Sequence, residues 1–178
     1  MSGLPDSKYE PKPSYMKYVK WIFVVWVVCS LVSFIDKGKV GYGRSVGDKA
    51  PDFSVVSGDG EQLQLRALRG GYVLLSFWAS YDAASRVQNL QLCRATAKLP
   101  GRVKMVSVSF DEYKSVFDAT VREDKIGKDA SFVEVSGESS SLFKKYRLDR
   151  GFDNYLLDEE GVIIAKNVTA EKLADLLM

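Results

Sequence analysis

Two nearly continuous apolar runs constrain this chain more than any other feature: Tyr72 to Trp78 (YVLLSFW) and Val103 to Phe110 (VKMVSVSF). A run of this length, rich in β-branched and aromatic residues, reads as a strand covered on both faces. Between the two runs, Val87, Leu90, Leu92, Cys93 and Leu99 recur at helical intervals over residues 83–99, and Pro100-Gly101 stops them. Two central strands joined through a helix form a parallel pair with a right-handed crossover.

The flanking segments extend that unit. Asp52 to Val56 is a short extended run, Gly58-Asp59-Gly60 a turn, Gln62 to Leu65 a short edge strand, and Ala67 to Gly70 a helical turn. After the second central strand, Asp111 is positioned to cap a helix with an apolar stripe of Tyr113, Val116, Phe117, Val121 and Ile126. Phe132 to Val135 is extended. Ser139 to Tyr146 is a short helix turning Leu142, Phe143 and Tyr146 inward. Tyr155 to Asp158 and Val162 to Lys166 form a hairpin around Glu159-Glu160-Gly161, and Thr169 caps a last helix bearing Leu173, Leu176 and Leu177. The expected fold is α/β: a mixed sheet with helices on both faces.

Ahead of this body stands a different kind of segment. Trp21 to Ile35 (WIFVVWVVCSLVSFI) carries no charge. Fifteen helical residues rise about 22 Å, short of a hydrocarbon core of about 30 Å. Tyr18 and Val19 lengthen the stretch, Lys20 can snorkel, and Tyr18, Trp21 and Phe34 sit where interfacial aromatics belong. Residues 18–36 therefore read as one transmembrane helix, after a Pro-punctuated disordered tail (1–17) and before a glycine-rich linker (37–45) and the folded body (46–178). A cleaved signal peptide competes with that reading. Against it stand the missing small-residue cleavage site and the bulky Leu31, Phe34 and Ile35. Four bases precede the span (Lys8, Lys12, Lys17, Lys20) and four follow it (Lys37, Lys39, Arg44, Lys49), so flanking charge sets no orientation.

Composition removes several chemistries. The chain has no histidine, which excludes Ser-His-Asp and Cys-His catalysis and His-ligated metals. Its two cysteines, Cys29 and Cys93, cannot build a thiolate zinc site or a disulfide scaffold. No cofactor and no metal is expected. A net charge of +2 makes no case for nucleic acid, and the cluster Lys144, Lys145, Arg147 and Arg150 is too small to make one.

Four segments stand out in order: Val46 to Phe53 (VGDKAPDF), Leu65 to Ala79, Val106 to Glu112 (VSVSFDE) and Tyr146 to Gly161. They resemble, respectively, the opening motif, the approach to the active site, the third-strand signature and the closing hairpin of the redoxins and the TlpA-like thioredoxins of the thioredoxin-like superfamily. The resemblance covers residues 46–178 and implies a thioredoxin-like fold, membrane-anchored thiol–disulfide chemistry, and a body on the extracytoplasmic, periplasmic side. That family's Trp-Cys-x-x-Cys-Arg segment aligns with Tyr81-Asp82-Ala83-Ala84-Ser85-Arg86, so Asp82 and Ser85 stand at the two cysteine positions. Phe152 stands at the position of the family's cis-proline. A cis peptide before Phe would cost about 3–4 kcal/mol, so trans is expected.

A carboxylate and a hydroxyl cannot carry thiol–disulfide exchange, which needs a thiolate to attack and a second thiol to release. The expected function is that of a redox-inactive, membrane-anchored module that binds a protein partner through Tyr81, Asp82 and Phe152. Asp82 is read first as a helix N-cap. The alternative is a thiol–disulfide oxidoreductase or peroxide-reducing redoxin in cell redox homeostasis, using Cys93. That thiol lies about 12 Å along the helix from Ser85, beside Leu90 and Leu92, and reads as a packing residue. A third reading makes the chain a subunit of a membrane complex held through its span, with Ser30 and Ser33 as a small-residue face.

Overall fold

The computed structural model describes residues 19, 21–26, 41–57 and 60–177. The tail at 1–17, most of the 18–36 segment including Cys29, linker residues 37–40 and the Gly58-Asp59 part of the first turn lie outside the described residues. The chain divides into two units, Met1–Lys39 and Val40–Met178. In the first, residues 21–26 are helical (α1), with Trp21, Phe23 and Trp26 exposed. Among the described residues, no helix is long and apolar enough to cross a membrane.

The second unit is a seven-stranded mixed sheet in the order β2-β1-β5-β4-β3-β6-β7. Its strands are β1 (Ser54–Ser57), β2 (Gln62–Gln64), β3 (Tyr72–Trp78), β4 (Val103–Ser109), β5 (Ser131–Val133), β6 (Asn154–Leu157) and β7 (Ile163–Lys166). Its helices are α2 (Ala83–Thr96), α3 (Lys114–Glu123), α4 (Ser141–Tyr146) and α5 (Ala170–Leu177). The two apolar runs form the parallel pair that their sequence requires, with Leu75 opposite Val106 and Trp78 opposite Ser109. β5 adds in parallel to β4, and β6 adds antiparallel to the other side of β3.

The period-two alternation of β3 divides the core. Val73, Leu75 and Phe77 face a cluster with Phe110, Phe143, Tyr146 and Tyr155 on the α4 side. Leu74 packs with Leu92 of α2 and Leu173 and Leu177 of α5 on the other side, while Trp78 meets Phe117 and Val121 of α3. Phe77 is the hub of the first cluster: its ring lies 4.7 Å from Tyr146, 5.8 Å from Phe110, 6.2 Å from Tyr155 and 6.3 Å from Phe53, centroid to centroid.

Several details differ from expectation. On α2 the buried positions are Ser85, Asn89, Leu92 and Thr96, while Val87 is exposed. Leu92 is buried and Leu90, Cys93 and Leu99 pack against the core, so apolar spacing finds part of the inward face and misses its polar members. On α3, Phe117 and Val121 are buried but Tyr113 and Val116 face solvent, and on α5 Leu176 does the same. Asp111 does not cap α3: Tyr113 holds the N-cap position without a side-chain bond, and the Asp111 carboxylate turns back toward the sheet. Residues 41–45, read as the end of the linker, hydrogen-bond to the body. The Gly43 amide donates to the Lys49 carbonyl and the Arg44 guanidinium to the Tyr146 carbonyl, each at 3.0 Å.

The aromatic hub sets the first prediction. Phe77→Ala should lower unfolding free energy by about 3–5 kcal/mol, read from the urea midpoint, because four surrounding rings cannot collapse into the void together.

Candidate functional site

The site forms where β3 and β4 end side by side. Their parallel register continues past the strands, since the Phe110 amide donates to the Trp78 carbonyl at 2.9 Å. The Trp78 indole N–H donates to Ser107 Oγ at 2.8 Å, which satisfies a fully buried polar group and fixes the strand end. Two loops then leave the sheet together, Ala79 to Asp82 and Phe110 to Tyr113.

Asp111 joins these loops. One carboxylate oxygen accepts from the Ser80 amide at 3.0 Å and from Ser80 Oγ at 2.6 Å; the other accepts from Ser109 Oγ at 2.6 Å. The residue is 3% exposed, and among the described residues no cation pairs with it. Hydrogen bonds alone compensate its desolvation.

Asp82 is the N-cap of α2. Its Oδ1 accepts from the Ser85 amide at 2.7 Å, while Ser85 Oγ donates to the Asp82 carbonyl at 3.1 Å. The Ser85 hydroxyl is buried and lies 3.4 Å from the Ala79 amide. One turn of helix thus engages both side chains at the aligned positions in local bonds. Arg86, the last residue of the aligned segment, anchors α2 to the end of α3. It makes 2.8 Å bonds to both oxygens of Asp124 and a 2.9 Å bond to Glu123, which raise its pKa further.

Phe152 packs rather than presenting bare backbone. Its ring stacks with Phe110 at 6.0 Å, meets Phe143 edge-on at 6.2 Å, and reaches Tyr81 at 6.4 Å. No cis peptide occurs among the described residues. Tyr81 remains 61% exposed, so an unbroken row of rings runs from the Phe77 hub through Phe110 and Phe152 to the surface. The structure therefore brings Tyr81, Asp82, Ser85 and Phe152 together.

Cys93 lies farther along α2, packed between the Leu92 and Trp78 clusters. Burial pushes its thiol pKa from the ordinary 9.0 up to about 12. Arg94, its neighbour in sequence, is not among the causes of that shift.

Sequence reasoning missed the second wall of the site: Glu112, Tyr113 and Glu138. With Ser80, Tyr81, Phe110, Asp111 and Val116 they enclose a groove of about 390 Å³. The parallel register carried the signal, because residues after Phe110 must neighbour residues after Trp78. A larger hollow, about 570 Å³, lies beside α3 between Lys114 and Ser131 and contains none of the aligned residues.

Comparison with known proteins agrees with this geometry. Residues 46–166 match the model of the AhpC/TSA family. The chain belongs to that family. It is 27% identical over 121 residues to the thioredoxin-like protein YneN of Bacillus subtilis, covering 68% of this chain and 70% of that one. A thioredoxin-like protein from Parabacteroides distasonis superposes with a TM-score of 0.68 at 42% identity, covering 76% of this chain and 96% of the other. A thiol-disulfide oxidoreductase from Bacteroides fragilis superposes with a TM-score of 0.64 at 28% identity, covering 73% and 100%. The fold is thioredoxin-like, as it is in these relatives.

Two variants test the local bonds. Asp82→Ala should cost about 0.5–2 kcal/mol of stability as the cap is lost. Asp111→Ala should cost about 1–3 kcal/mol and speed hydrogen exchange at the Ser80 amide, which is left without its acceptor. Urea unfolding and amide exchange read both effects.

Proposed function

We propose that this AhpC/TSA member is a redox-inactive module, anchored in a membrane through residues 18–36, that holds a protein partner on its Tyr81–Phe152 face. The observation that carries the reading is the chemistry at the start of α2. Where the family's cysteine pair aligns, a carboxylate caps the helix and a buried hydroxyl donates to the Asp82 main-chain carbonyl. Neither group attacks a disulfide, and a chain without histidine has no imidazole to activate Ser85.

Loss of the proline supports the same reading. A proline at this position would leave the facing loop narrow and its backbone open. Phe152 fills that space with a ring and joins Tyr81 to the core. An exposed aromatic backed by packed aromatics suits an interface anchor, since little side-chain freedom remains to be lost on binding.

The uncharged Trp21 to Ile35 stretch supports the anchor. The family resemblance supports an extracytoplasmic body. Reporter fusions at the C-terminus test orientation: alkaline phosphatase activity is expected and green fluorescence is not, and the reverse pattern overturns it.

The oxidoreductase alternative requires Cys93 to ionise. At neutral pH a thiol pushed up to about 12 is almost wholly protonated. In the native full-length chain at pH 8, alkylation of Cys93, located by peptide mass mapping, should run at least about a hundredfold slower than in urea. Insulin reduction with dithiothreitol should not exceed the dithiothreitol background. Rapid native labelling together with catalysed insulin reduction would reinstate the enzyme.

The same shift sets a pH dependence. A thiol pKa higher in the fold than in the unfolded chain adds stability that is complete below about 9 and is lost as pH rises toward about 12. The Cys93→Ala variant should lose less stability than the parent between those limits in urea titrations.

A further inference from the structure

The groove beside Tyr81 has a charge pattern that names the chemistry of its occupant. Its walls come from four segments: Ser80 and Tyr81 after β3, Phe110 to Tyr113 after β4, Val116 in the first turn of α3, and Glu138 in the turn Gly137–Ser139. Three apolar side chains on it are exposed, Tyr81 at 61%, Tyr113 at 70% and Val116 at 43%. An isolated apolar residue at the surface is ordinary, but three lining one groove form a continuous contact surface.

The charged groups on this groove are carboxylates. Burial lifts the Tyr81 phenol above its ordinary 10.0, and Glu138, Asp111, Asp82 and Glu112 lift it further. Among the described residues none of these four is in an ion pair, and Lys114, the nearest base in sequence, bonds Asp118 at 2.8 Å instead. Asp82 and Asp111 are committed to internal bonds, while Glu112 and Glu138 are exposed. Gly137, the residue before Glu138, packs on Glu112: at φ +53°, a Cβ there would lie 3.0 Å from Glu112 Cγ. The backbone at Gly137 is thus shaped around the Glu112 side chain.

We propose that this groove receives a lysine or arginine side chain from an extended segment of the partner protein, with Tyr81 and Tyr113 packing its aliphatic stem and Glu112 and Glu138 pairing its charge. This rests on the partner-holding reading above and specifies the partner as a basic one. Two carboxylates without a cation, set beside exposed aromatic rings, match a long side chain that is apolar along its length and positive at its tip. A neutral apolar segment would bury the same rings but would leave Glu112 and Glu138 desolvated without a counter-charge.

The full-length chain in detergent micelles is titrated calorimetrically with a blocked seven-residue peptide carrying one central lysine between leucines, and with the same peptide carrying norleucine. The lysine peptide should bind at least about tenfold more tightly. Its advantage should shrink as salt rises from about 0.05 to about 0.5 M. The pair Glu112→Gln and Glu138→Gln, both at exposed positions, should remove that advantage while leaving the urea unfolding curve in place. Equal affinity for the two peptides, or binding of neither, overturns the proposal.

A photo-cross-linker at position 81 in cell membranes separates the two levels. Cross-links that weaken in the double glutamine variant support a basic partner. Cross-links that persist unchanged in it overturn the basic partner and keep the module, and no cross-link at all removes the module itself. A product of twice the chain mass overturns the proposal in favour of a second copy.

Discussion

The structure depends on the parallel pairing of β3 with β4. Their register, Leu75 to Val106 and Trp78 to Ser109, carries on through the Phe110–Trp78 backbone bond, so both strands release their loops at one height. Everything at the site follows from that alignment. Asp111 reaches Ser80 because the strands end together, and its buried carboxylate then turns two loops into one wall. A one-residue slip would exchange the faces of every side chain on the slipped strand and separate those loops.

The second constraint is aromatic. Phe77, Phe110, Phe143, Tyr146 and Phe152 form a connected set of rings in tilted, edge-on and stacked contacts. Such a set is stiff, because the rings have few rotamers and each is hemmed in by others. Phe152 extends the set from the core to Tyr81 at the surface. Phe152, Asp82 and Ser85 are alike in physical terms: the Phe152 ring packs inside the domain, and the two polar side chains bond within the first turn of α2.

Much of the fold was legible because its strongest signals are apolar runs. YVLLSFW and VKMVSVSF have too few polar residues to face water on either side, and the structure buries both from Val73 and Met105 onward. The hairpin from Asn154 to Lys166 and the inward face of α4 were readable for similar reasons. α2 was legible only in part: Leu90, Leu92 and Cys93 mark its inward side, but Ser85, Asn89 and Thr96 are buried there too, and hydrophobic spacing cannot mark those. Asp111 was misread because an acid before a helix looks like a cap. Only the tertiary arrangement, with the Ser80 amide and hydroxyl facing it, shows where the carboxylate is needed. Asp82 was legible as a cap because its partner, the Ser85 amide, is local. The line between readable and unreadable here is the sequence distance to the bonding partner.

That distinction bears on function. The thiol chemistry of a thioredoxin-like site is local: it resides in one turn of helix and the loop facing it, and a few substitutions remove it. The groove is distributed, since it draws on the ends of β3 and β4, the first turn of α3 and the turn at Gly137. Those elements are held by the central sheet, whose stability does not depend on sulfur at position 82 or 85. A chain can therefore lose exchange chemistry and keep a rigid, shaped surface at the same place. At Asp82 the two demands meet: a helix N-terminus that favours a thiolate also favours a carboxylate, and here the Asp82 carboxylate accepts from the Ser85 amide and starts α2.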